Sequence, residues 1–111
     1  MKKNEFKDSV IFNINNSIQY AEGGVVSKQI IQRKVGNVTI MAFDKGQKLS
    51  EHTVPFDALI NIIDGTGEII INHKPYTLQA GESIIMPANF PHAVNAVEKF
   101  KMVLTMIKDN E

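Results

Sequence analysis

Residues 81–92 read Gly81-Glu82-Ser83-Ile84-Ile85-Met86-Pro87-Ala88-Asn89-Phe90-Pro91-His92, and each position has a mechanical reading. Gly81 closes a turn begun at Gln79-Ala80, where a residue without Cβ tolerates dihedrals that others do not. Glu82 to Met86 is a short, mostly apolar run bounded by turn residues, the pattern of a strand. Pro87 stops it, because proline cannot donate to a ladder. Asn89 sits where a positive φ is expected, and asparagine is the best non-glycine occupant of that region. Pro91 stiffens the approach to His92, which is then presented at the start of the next strand.

Working outward, the same kind of punctuation recurs upstream. Gly46 is followed after five residues by His52, after one more by Val54, after three by Ala58 and after six by Gly65. The two stretches together resemble the two signatures of the cupin family, Gly-x5-His-x-His-x3-4-Glu-x6-Gly and Gly-x5-Pro-x-Gly-x2-His-x3-Asn. In the second, Asn89 replaces the inner glycine and Ala96 the terminal asparagine. In the first, Val54 stands where the second histidine belongs and Ala58 where the glutamate belongs. The resemblance spans Asn37 to Lys108. It implies an all-β double-stranded β-helix, or jelly-roll barrel, with an N-terminal strand lying along a neighbouring subunit's sheet. An open barrel edge needs such cover, so a homodimer is expected.

The rest of the chain agrees with a strand-built domain. Its 111 residues fit one core. Apolar content of 43%, with 15 Ile and 9 Val, leans toward strands. Met1 to Asp8 is charged and expected to fray. Ser9 to Ile14 alternates weakly and reads as a short strand, then Glu22-Gly23-Gly24 breaks the chain. This divides an N-terminal segment, 1–24, from the barrel, 25–111, within a single domain. Strands follow at Val25 to Arg33, Val38 to Phe43, Gln47 to Val54 and Ala58 to Ile63. The last is continuously apolar except for Asn61, as in a strand covered on both sides. A turn is expected at Asp64-Gly65-Thr66-Gly67, then a hairpin from Glu68–Ile71 to Pro75–Leu78 about Asn72-His73-Lys74. Phe100 to Ile107 closes the set. Turn signals every 8–12 residues without helical periodicity argue for a sandwich or barrel.

Composition also excludes whole classes. No cysteine means no disulfide framework, thiolate metal site or cysteine nucleophile. The formal charge is zero and Arg33 is the only arginine, so no basic stripe serves nucleic acid. The start, Met1-Lys2-Lys3-Asn4-Glu5, lacks the apolar run of a leader. No segment approaches the roughly 20 apolar residues of a membrane span. A cytoplasmic protein is expected.

The candidate site is His52 and His92. Each reads either as a polar residue at a strand end or as a pocket residue facing the barrel interior, and the family spacing favours the latter. His73, at the second position of a two-residue hairpin loop, reads as an exposed turn residue. Val54, Ala58, Met41, Phe43, Met102 and Met106 join the pocket set. The Met102-Leu104-Met106 stripe, like Met41 and Phe43, also reads as ordinary core, since methionine fills irregular space as readily as it receives a ligand. Lys48 and Lys101 read as solvated. As metal ligands, His52 and His92 make an incomplete pair, because zinc or a harder ion wants three or more protein donors. Asp57 and Asn95 are one residue out of register, and a one-residue step turns a side chain to the other face. A resident divalent metal is therefore not favoured. The favoured expectation is a cupin-fold protein holding a small apolar or weakly polar molecule. Two alternatives stand beside it. One is an enzyme, either a metal-dependent dioxygenase or isomerase using both histidines as partial ligands, or a metal-free one with a histidine as general base. The other is a structural or regulatory dimer with a vestigial pocket. Sequence alone does not decide whether any reaction is catalysed, nor on what.

Overall fold

The computed structural model describes residues 6–108, and among them β-branched and aromatic residues at alternate positions give eight strands. They are β1 (Val25–Arg33), β2 (Gly36–Phe43), β3 (Lys48–His52), β4 (Asp57–Ile71), β5 (Lys74–Gln79), β6 (Ser83–Met86), β7 (His92–Asn95) and β8 (Phe100–Ile107). All pairings are antiparallel. One layer runs β1-β2-β8-β4-β6 and the other β5-β4-β7-β3, with β4 belonging to both. The result is the expected all-β jelly roll, a sheet curled around one interior. Among the described residues, the single helical turn is a 3-10 turn at Asn15–Ser17, and no helix is long and apolar enough to cross a membrane.

β4 corrects the expected turn at Asp64–Gly67. The chain stays extended for 15 residues and changes layer by bending. The register slips between Ile62 and Asp64, and Gly65 takes a φ of +75°, the combination by which a bulge re-aims a strand. Only glycine fits there, since a Cβ on Gly65 would lie 2.0 Å from the Lys99 carbonyl oxygen. Two residues on, a Cβ on Gly67 would meet the Phe100 ring at 2.8 Å. That ring stacks on Phe43 with centroids 4.7 Å apart. The hairpin after β4 forms as expected: Ile71 pairs with Lys74, and Asn72 and His73 both take positive φ, as a two-residue type I′ loop demands.

The expected strand at Ser9–Ile14 is absent. Ser9 sits at a φ of +61°, which breaks an extended run. Asn13 then turns the chain by accepting from the Asn16 amide through its side chain at 3.1 Å. Beyond this turn the chain forms a strap across the outer face of β2 and β8. Ile18 is fully buried there, in a cluster with Ile40, Ala42 and Val103. Burying an isoleucine side chain is worth about 1.5–3 kcal/mol. Lys101 fastens the strap, which corrects its reading as solvated. It is 7% exposed, and its Nζ donates to the Asn15 carbonyl at 2.6 Å and to Asn15 Oδ1 at 3.0 Å. Tyr20 donates its hydroxyl to the Asp64 carboxylate, and burial together with that carboxylate raises the phenol pKa well above its ordinary value. β1 pairs with β2 of its own chain from Val25 to Arg33. Of the segment expected to fray, residues 1–5 lie outside the described range.

Candidate functional site

The inner faces of both layers meet in a core of Phe43, Ile60, Ile62, Ile69, Phe100, Met102 and their neighbours. That packing leaves a cavity of about 60 Å³ at one end. Its wall holds Leu49, Val54, Ala58, Ile60, Met86, Val94, Met102, Leu104 and Met106, and its polar lining residues are His52 and His92.

The two histidines meet because β3 and β7 pair them directly, and directly opposed residues on one face bring their side chains into contact. Their rings lie edge to face with centroids 4.3 Å apart, and Nε2 of one is 3.2 Å from Nε2 of the other. They are unequal partners. His92 is buried, at 6% exposure, whereas His52 is exposed and stands at the rim. His52 lines the cavity from its rim, where a register irregularity between Leu49 and His52 accompanies a β3 largely open to solvent.

The loops around them are tied together by the backbone. Asn89 takes the expected positive φ, +70°, and its amide donates to the Val54 carbonyl at 2.8 Å, joining the two signature segments. The Ala88 amide donates to Asp57 Oδ1 at 2.9 Å. Asp57 therefore holds the loop and faces away from the cavity. The Asn72 amide donates to the Pro91 carbonyl at 2.8 Å, fixing the residue before His92. Asn95 points away as expected, donating to Glu68 Oε1 at 2.9 Å. His73 is exposed and lies 3.4 Å from Glu51 Oε1, outside the cavity.

Proton placement follows from these contacts. His52 Nδ1 lies 2.9 Å from the Ser50 carbonyl, which can only accept, so Nδ1 carries the proton. Nε2 of His52 then offers its lone pair to His92. A hydrogen bond between the rings uses an Nε2 proton of His92, and Nδ1 of His92 is buried without a well-formed hydrogen bond. Desolvation, and secondarily the charge on His52, pushes the His92 pKa below its ordinary value. The Phe90 backbone opposes this in part. The buried ring thus prefers to be neutral.

The family's usual metal does not fit this donor set. The cavity supplies two imidazole nitrogens, and the other two ligand positions carry Val54 and Ala58. Among the described residues no group of three or more His, Asp or Glu side chains is placed to hold an ion. A site of two neutral nitrogens in an apolar wall lacks the third donor and the negative charge that hold a divalent ion.

Of the residues singled out from sequence, the structure brings together His52, His92, Val54, Ala58, Met102 and Met106. Met41 and Phe43 do not line the cavity. They share its inner face but belong to the packed core, where Phe43 is stacked against Phe100. Four wall residues were not anticipated: Leu49, Ile60, Met86 and Val94. Three carried a signal. Ile60 and Val94 lie two residues from Ala58 and His92, and Met86 precedes Pro87 on the strand face that the period of two turns inward. Leu49 carried none, because the irregularity in β3 breaks the count from His52.

Comparison with known proteins gives the fold independent support. A family model described as a cupin domain matches residues 39–108. A conserved protein of unknown function from Streptococcus pyogenes is 31% identical, with a TM-score of 0.91 over 97% of this chain and 95% of that one. A cupin 2 conserved barrel domain protein from Leptotrichia buccalis is 43% identical, with a TM-score of 0.85 over 87% of this chain. The match covers 47% of that protein, so this chain spans about half its length. A cupin superfamily protein from Desulfitobacterium hafniense, 21% identical, has a TM-score of 0.88 over 98% of this chain and 100% of that one, a likeness of fold alone. No curated protein matches the sequence.

Proposed function

The chain belongs to the cupin family, and from that premise we propose that it binds a small apolar or weakly polar molecule in the barrel, against His52 and His92. The observation that carries this reading is a cavity that is apolar except for two imidazoles in contact with each other. Such a wall favours an apolar body, and the histidine pair offers one hydrogen-bonding point to orient it. Size limits the ligand. About 60 Å³ lies far below the roughly 300–1,000 Å³ of pockets for drug-sized molecules. The cavity accepts a few heavy atoms as it stands. Anything larger displaces Met86, Met102 or Met106, whose unbranched side chains repack at low cost. A cytoplasmic setting goes with this reading, supported by the cysteine-free composition.

Methyl-labelled methionine spectra recorded with xenon, benzene, phenol and butanone test the proposal. Binding shifts the signals of Met86, Met102 and Met106, and Ala58→Leu, which fills the cavity from its wall, removes the shifts while leaving the protein folded. If no probe moves these signals in the unsubstituted protein, the reading fails. Elemental analysis of untagged protein covers the enzymatic alternative. One equivalent of a divalent metal, lost in both His52→Ala and His92→Ala, would replace the binding protein with a metal-dependent cupin.

A further inference from the structure

His52 and His92 share a residue type and differ in hydrogen-bonding sense. The Ser50 carbonyl, 2.9 Å from His52 Nδ1, takes that ring's proton, so His52 Nε2 can only accept. His92 Nε2, 3.2 Å away, holds a proton and donates. An acceptor and a donor thus stand side by side in a wall whose other residues are all apolar. The two rings also differ in freedom. His92 is 6% exposed and opens β7, which pairs with both β3 and β4. His52 is exposed, on the end strand of its layer, which pairs with β7. Its contact with Ser50 spans two residues of one strand and travels with the ring. A separation of 3.2 Å lies at the long limit of a hydrogen bond, so a small group that serves both nitrogens better displaces the direct contact.

We propose, building on the binding reading above, that the ligand is a small alcohol or phenol whose hydroxyl bridges the two Nε2 atoms. Its proton goes to the His52 lone pair, and its oxygen accepts from His92. One atom performs both roles, which suits nitrogens only 3.2 Å apart, and the rim ring of His52 swings outward to admit it. Other classes fit worse. A ketone or ether accepts from His92 but breaks the contact between the rings and gives His52 no donor in return. An amide donates and accepts through separate atoms and needs a wider gap. A hydrocarbon uses the apolar wall alone. A carboxylate or ammonium enters a cavity with no lining Lys, Arg, Asp or Glu to balance its charge, and an unpaired charge is costly to bury. The alkyl or aryl body of the alcohol lies against Met86, Met102 and Met106, which line the same space.

Titrations followed by the methionine methyl signals, with isopropanol against acetone and phenol against fluorobenzene, separate these classes. Each pair keeps the carbon body and changes the polar group. In the unsubstituted protein the hydroxyl member binds about tenfold more tightly, the worth of roughly one added hydrogen bond. His52→Phe keeps a ring at an exposed position, so the barrel still folds, but it removes the acceptor, and the preference within each pair disappears. Long-range proton–nitrogen spectra of the imidazoles show His52 with its proton on Nδ1. Equal affinities within both pairs overturn the hydroxyl and leave the binding reading standing. So does a His52 proton found on Nε2, or a preference that survives His52→Phe. If no member of either pair binds, both readings fall together.

Discussion

Two glycine-flanked segments meet at the cavity, Gly46–Gly65 and Gly81–His92, and they have kept different things. Both retain their backbone devices. Gly46, Gly65 and Gly81 take φ values of +87°, +75° and +94°, and Asn89 takes +70° in place of glycine. The Asn89 amide to the Val54 carbonyl ties the segments together. In side-chain chemistry they part. The second segment presents a buried His92, while the first presents a rim His52 followed by Val54 and Ala58. The architecture rests on positions where the chain must turn tightly or pass close to another strand, and exchange is costly there, most of all at Gly65, where a Cβ would meet backbone. The ligand positions point into a cavity, where an apolar side chain fills space at no cost to the fold. Geometry and chemistry are therefore separable in this barrel.

The glycines give the widest test of that separation. Gly65→Ala adds a Cβ 2.0 Å from the Lys99 carbonyl and 2.9 Å from Phe100 Cα. Both are backbone atoms, one just before the central strand β8 and one at its first residue, and cannot yield. A loss above about 4 kcal/mol is expected, read as little folded protein by circular dichroism. Lys101→Met is expected to cost about 1–3 kcal/mol in urea unfolding, since it leaves the Asn15 carbonyl without its donor at the strap. Gly81→Ala has the same sign of φ as Gly65 but open space around its Cβ. Only the conformational cost remains, about 1–2 kcal/mol. If Gly65→Ala and Gly81→Ala prove equal, close approach of chains is not what keeps the first glycine.

How much of this was legible in the sequence depended on whether a residue's role was local. The turns at Gly46, Gly81 and Asn72-His73, the positive φ of Asn89 and the outward aim of Asn95 all follow from backbone chemistry or a period of two. So does the inward face of β8. Gly65 was legible as a special position but not as a bend. The same glycine serves a turn or a bulge, and which one it makes depends on β8 lying alongside. Lys101 reads as solvated because alternation places it on an outer face. Only the strap, folding back from residues 86 positions away, makes that face interior. The pairing of His52 with His92 was legible as a spacing. Their inequality, one buried and one at the rim, was not, because it comes from the irregularity within β3.

That inequality yields the last and smallest expected effect. Burial and the neighbouring His52 charge depress the His92 pKa in the folded protein, while in the unfolded chain it titrates near its ordinary 6.5. Between those two values the unfolded chain binds more protons than the folded one, so stability rises with pH across that window. Above 6.5 both states are neutral at this residue and the contribution is fully present. As pH falls below 6.5 it is progressively lost, until the folded-state ring is itself protonated. Urea midpoints between pH 7.5 and pH 5, a range chosen to bracket about 6.5, read the slope directly. In His92→Leu the slope over this window flattens. A slope unchanged in His92→Leu would mean that the buried ring is charged as readily in the barrel as in water. The cavity would then be wet rather than apolar, and the two signature segments would differ in their residues without differing in their chemistry.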